Sequence, residues 1–190
     1  MDAFADLADE IDSRRNSGVK SDQVLARLRP ALETQGFIVE ASKAQADKIL
    51  RPVLFGENGE TRVAYEVDAF HPDHGVVIEI EAGRGAANNA DYRDIMRASL
   101  MVDARYLVLA MMLAYGGGGT VTRSYERTRN RIDAIYASDR LQLPLDGLLL
   151  ATEPGRGCAV LSRGPYGPSR ACDLCVTLWT RCAQQRSSRR

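Results

Sequence analysis

Lysine is nearly absent. The 190-residue chain holds 3 lysines against 22 arginines, with 2 histidines, 1 tryptophan and 4 cysteines. Chemistry that needs an amine or an imidazole therefore has only Lys20, Lys43, Lys48, His71 and His74 to draw on. Net charge is also missing: 25 basic and 25 acidic residues cancel, so no global excess announces a polyanionic partner. The charge is uneven, however. Residues 152–190 carry seven arginines and two acids, whereas the first forty carry eight acids and five bases, which permits an anionic partner on one face.

Long apolar runs are missing too. No stretch approaches the roughly 18 consecutive apolar residues of a membrane span. The opening "MDAFADLADE" is acidic and lacks the basic-then-apolar order of a secretory signal, so a cytoplasmic location is expected. In that compartment cysteines are reduced thiols or metal ligands rather than disulfides. "CDLC" sets Cys172 and Cys175 at zinc-knuckle spacing, with Cys158 and Cys182 nearby. The second close pair of a zinc ribbon is absent, so ordinary thiols are the first reading and structural Zn²⁺ the second.

What is present suits a folded domain: 45% apolar and 26% charged residues. Phe4, Leu7, Ala8 and Ile11 are spaced for a short amphipathic helix. Ser21 suits the cap of a second, with Val24, Leu25, Leu28 and Leu32 on one stripe, Gly36 as its stop and Pro30 as a kink or fresh start. "FIVEA" (37–41), "ILRPVLF" (49–55) and "TRVAYEVDAF" (61–70) predict strands, with Pro52 pushing the second toward a sheet edge or bulge. "GVVIEIEAG" (75–83) predicts another. A helix capped by Asn88 or Asn89 follows, with Tyr92, Ile95, Met96 and Ser99 on a shared face. "YLVLAMML" (106–113) is eight apolar residues without alternation, the mark of a strand covered on both sides. A helix over about 123–138 and a strand at "LDGLLLA" (145–151) complete a mixed α/β sheet. Residues 1–151 thus form the expected domain, and 152–190, rich in Gly, Pro, Arg and Cys, an appendage or tail.

One strand breaks the rule of a clean interior. "VVIEIEAG" carries Glu79 and Glu81 two residues apart, on the face of Val77. With "HPDH" as a four-residue turn, Phe70 opposes Gly75, Asp68 opposes Val77 and Glu66 opposes Glu79. A shift of two leaves Asp68, Glu79 and Glu81 still on one face, and Glu66 with them. Carboxylates about 5–8 Å apart repel unless a cation lies between them. Two readings stand: a solvated acidic face, or oxygen ligands for a divalent ion such as Mg²⁺. The feed of this strand directly into a crossover favours an interior position, hence the second.

"VDAF", a turn, "VVIEIEAG", a helix and a buried strand resemble the PD-(D/E)XK nuclease superfamily, in particular restriction endonucleases of the BamHI and BglII kind. The resemblance spans about residues 21–151. It implies a restriction-endonuclease-like fold (helix, three-stranded meander, crossover helix, parallel strand) and hydrolysis of DNA phosphodiester bonds in restriction or defence. Asp68 matches the family's first acid and Glu79 the second. Glu81 falls where most members have lysine, although members of the BamHI type also carry glutamate there. With Lys20, Lys43 and Lys48 all outside the motif, the expected mechanism rests on metal alone. Asp68 and Glu79 would hold Mg²⁺, for which Mn²⁺ would substitute, and Glu81 would hold or deprotonate the attacking water or serve as a third metal ligand. Arg84, Arg93 and Arg97, after the acidic strand, are candidate phosphate contacts, against the alternative of solvated helix-face arginines. A homodimer is expected, since symmetric duplex is cut by paired chains. The rival readings are a nucleic-acid-binding protein on the same fold that no longer cleaves, and an oligomerising protein with an acidic sheet face. The histidines in the turn and "GGGG" at 116–119 call for no function.

Overall fold

The computed structural model describes residues 7–11, 19–82, 88–112, 123–138, 140–152 and 159–161. In chain order the elements are α1 (Ala8–Ile11), α2 (Ser21–Thr34), β1 (Ile38–Val39), β2 (Ile49–Phe55), β3 (Thr61–Val67), β4 (Ala69–His71) and β5 (Val76–Glu81). Then follow α3 (Ala90–Leu100), β6 (Tyr106–Met111), α4 (Ser124–Ala137), β7 (Gly147–Thr152) and β8 (Ala159–Leu161). The order β1-β4-β5-β6-β7-β8 makes one six-stranded sheet, and β2-β3 a separate two-stranded one. β5, β6 and β7 run parallel, while β1, β4 and β8 join antiparallel. The molecule is a mixed α/β structure.

Helices cover both faces of the large sheet. Val24, Leu25, Leu28 and Leu32 of α2 pack with Val76, Ile78, Ile80, Val108 and Ala110 on one side. Ile95 and Ala98 of α3 and Tyr125, Ile132 and Ile135 of α4 pack with Val77, Leu107, Leu109, Met111, Leu148 and Leu150 on the other. Every residue of β6 and β7 is buried, which is why their sequences run apolar without alternation. The stripe of α2 continues straight through Pro30. The helix stops where Gly36 turns left-handed (φ +89°), with the Gly36 and Phe37 N–H groups donating to the carbonyls of Glu33 and Leu32. Ser21 begins α2 without capping it: its hydroxyl accepts the Ala82 N–H at 3.0 Å, tying α2 to the end of β5. The Gln23 side chain instead accepts the Lys20 N–H.

Three expectations need correction. The segment 61–70 is two strands, because the chain bends at Asp68 and leaves the β2-β3 hairpin for the large sheet. The hairpin turn is 72–75, one residue later than expected, because His71 still pairs, with Val76. Phe70 therefore opposes Val77, two positions from the assumed register, and the faces are unchanged. Finally, α3 buries Asp91, Asp94, Ile95 and Ala98, whereas Tyr92 and Met96 are 38% and 46% exposed. Pro52 does sit on a strand with no second neighbour, beside a register shift. Beyond Thr152, β8 extends the sheet on β7.

Candidate metal centre

The acids at the end of β5 follow from strand geometry. Val77 points into the core beneath α3 and α4, so Glu79 and Glu81 emerge on that same side toward the strand's carboxyl end. Ligand sites in open parallel sheets gather at these ends. Across the parallel ladder Glu79 neighbours Leu109 and Glu81 neighbours Met111, both buried, so neither acid stands on a solvated sheet face.

Asp68 arrives from the other direction. The β4-β5 ladder runs only to Ala69 opposite Ile78. One residue earlier the Asp68 carboxylate takes over, accepting the Ile80 N–H at 2.8 Å, while its carbonyl accepts the Glu40 N–H at 2.9 Å. A side chain thus replaces a backbone acceptor, and it fixes Asp68 beside Glu79 and Glu81. All three line a cleft of about 290 Å³ together with Asp94, Glu40, Glu66, Asp22, Lys43, Lys48, Arg93 and Arg97.

Burial and mutual repulsion leave these acids reluctant to ionise. Burial pushes Asp68 up to about 6, against the pull of the Ile80 N–H and Lys43. Glu79 lies well above the usual carboxylate range, through burial and then the charges of Asp68, Asp94 and Glu81, with Arg97 opposing. Glu81 is raised to about 7 by burial and by Asp94. A site of this kind holds protons at neutral pH until a cation replaces them.

Two lysines enter the same cleft, each paired with acids. Both Lys43 and Lys48 reach the cleft from outside the motif, placing Nζ at 3.3 and 3.0 Å from the same Glu40 oxygen. Lys48 also meets Glu66 at 3.2 Å and Lys43 meets Asp22 at 2.9 Å. Glu40 itself is only 4% exposed. The lysines keep their charge: Lys43 is raised first by its hydrogen bond to Asp22, and Lys48 by its bond to Glu40. Arg93 and Arg97 line the cleft as well. Arg93 bridges acids, with Nε on Asp94 at 3.0 Å and an Nη on Glu81 at 3.2 Å. Arg97 lies over the Tyr65 ring at 5.5 Å. Arg84, Cys158, Cys172, Cys175 and Cys182 lie outside the described residues, as does "GGGG". His71 is buried with Nε2 at 3.0 Å from the Gln35 carbonyl, away from the cleft lining.

Sequence reasoning missed Asp94, Glu40, Lys43 and Lys48 as parts of the site. Asp94 had a signal, since Asp91, Asp94, Ile95 and Ala98 repeat at helical spacing as regularly as the apolar set chosen. The lysines had none: they approach through irregular chain between β1 and β2. Among the described residues no three His, Cys, Asp or Glu side chains close around a point as an ion cage. Mg²⁺ asks for less, since it takes one or two carboxylates and completes its octahedron with water and phosphate oxygens. The hard oxygen donors and the proton-retaining cluster fit such an ion. No family model, curated protein or solved structure matches the chain.

Proposed function

We propose that the protein is a Mg²⁺-dependent endonuclease with a restriction-endonuclease-like fold, hydrolysing DNA phosphodiester bonds. The observation that carries this reading is the convergence of Asp68, Glu79 and Glu81 in one cleft at the carboxyl end of β5, where burial and repulsion favour a cation. Asp68 and Glu79, with Glu81 as a third, are the residues that would hold Mg²⁺, which supplies Lewis-acid polarisation of the scissile phosphate when bound. Glu81, raised to about 7, is suited to accept the proton of an attacking water near neutral pH. Lys43 and Lys48, kept charged and fixed by Glu40, bring ammonium groups to the cleft that the motif itself does not supply. A homodimer would present two such clefts to the two strands of a symmetric duplex, and restriction or defence in the cytoplasm would be its setting.

Incubation of plasmid and single-stranded DNA with Mg²⁺, Mn²⁺ or EDTA tests the reading. Cleavage is expected with either ion and not with EDTA. Asp68→Asn and Glu79→Gln should each lower it at least about a hundredfold, the scale of losing oriented charge at a reacting centre. Glu81 in place of lysine favours a second reading, a DNA-binding protein that does not cut. Ion binding without cleavage of any DNA would select it.

A further inference from the structure

Asp91 and Asp94 stand one turn apart on the buried face of α3, and their surroundings differ. Asp91 is fully satisfied: Oδ2 accepts the Thr128 hydroxyl at 2.9 Å and Oδ1 accepts Arg131 at 2.6 Å, which fastens α3 to α4. Asp94 is equally deep, 1% exposed; Arg93 engages its Oδ1, and its carboxylate also shares a hydrogen bond with the Glu81 carboxyl. Its Oδ2 is buried with no hydrogen-bond partner among the described residues. Leaving a buried carboxylate oxygen unmatched is unfavourable, and the neighbours Ile95 and Ala98 show that an apolar residue suits this face. The fold therefore tolerates Asp94 at a cost that packing does not require.

Asp94 lines the cleft that holds the strand acids, and its charge falls on each of Asp68, Glu79 and Glu81. Arg93 joins its Oδ1 to Glu81 and so orients the two carboxylates together, while the buried Oδ2 has no donor among the described residues. We propose that Asp94 is a further ligand of the metal centre, a helix-borne carboxylate that with Glu81 takes a hard divalent cation such as Mg²⁺ or Mn²⁺. This rests on the reading of the cleft as a cation site and adds a residue to it. Asp91, by contrast, is a structural fastening with no direct part in ion binding.

Calorimetric titration of the full chain with Mn²⁺ at pH 7.5, beside thermal melts of the ion-free protein, separates the possibilities. Asp94→Asn keeps the shape and removes the charge. It should weaken Mn²⁺ binding at least about tenfold, the effect of one lost carboxylate ligand, with an unchanged or higher melting temperature without ion. Asp91→Asn should do the reverse, lowering the melting temperature and leaving affinity within about twofold. Should Asp94→Asn fail to fold, Asp94→Glu retains the charge but displaces it by one methylene, and a loss of affinity is again expected. If Asp68→Asn loses Mn²⁺ while either Asp94 variant binds like the wild type, the role of Asp94 is overturned and the cation site stands. If the wild type binds no Mn²⁺, both fall.

Discussion

A carboxyl raised above its ordinary value makes the folded state a better proton acceptor than the unfolded chain. Asp68 rises from 3.8 to about 6, and Glu81 from 4.5 to about 7. Their contribution to stability is therefore fully present below about pH 4 and is lost as pH climbs through 6 and 7, the reverse of an ion-paired carboxylate. For Asp68 alone the shift corresponds to about 3 kcal/mol, each pKa unit being about 1.4. The ion-free protein should melt at progressively lower temperature from pH 4.5 to 7.5. Saturating Mg²⁺ or Mn²⁺ should flatten that decline, because the ion replaces the protons. A pH series of melts with EDTA and with Mn²⁺ checks this; a flat profile in EDTA would mean that the acids are solvated after all.

Strands and helices were legible wherever one physical signal dominated. The short continuous apolar run of β6 fits a doubly covered strand, and the stripe and Gly36 stop of α2 locate that helix within a residue or two. The register of β4 against β5 was not legible, because His71 reads as turn by composition yet is buried and paired. The face of α3 was misread because Tyr92 and Met96 look like core, whereas the helix turns two aspartates inward toward polar partners and the cleft. That Asp68, Glu79 and Glu81 share one cleft was legible because strand alternation is insensitive to a shift of two; the lysines, brought in from distant chain, had no local signature. The turn itself depends on Gly75, at φ +64°. A Cβ there would stand 2.6 Å from the Asp103 carbonyl oxygen and 3.0 Å from the Arg105 side chain. Gly75→Ala should therefore destabilise the protein by about 2 kcal/mol or more, combining left-handed strain with a backbone clash. Urea unfolding measures it, and a loss below about 0.5 kcal/mol would show that the turn relaxes freely.

Across the whole molecule charge cancels, but in the cleft it does not. Seven carboxylates face four cationic side chains there, so fully ionised walls would repel a polyanion. Binding of duplex DNA in this cleft should accordingly require a divalent ion. Fluorescence anisotropy with Ca²⁺ in place of Mg²⁺ should give an affinity at least about tenfold above that in EDTA, with strong salt dependence. Equal binding in EDTA would move the DNA contact to another surface. The bend at Asp68 has a mechanical side as well. Its carbonyl is held by Glu40 and its carboxylate by Ile80, while its neighbour Val67 departs with the two-stranded sheet. The β2-β3 arm joins the large sheet through this doubly clamped residue, and it is tied down further by the Val102 N–H on the Pro52 carbonyl and by the Arg51–Asp103 ion pair. The direction in which the Asp68 carboxylate enters the cleft is therefore set at the very residue where the hairpin leaves the large sheet.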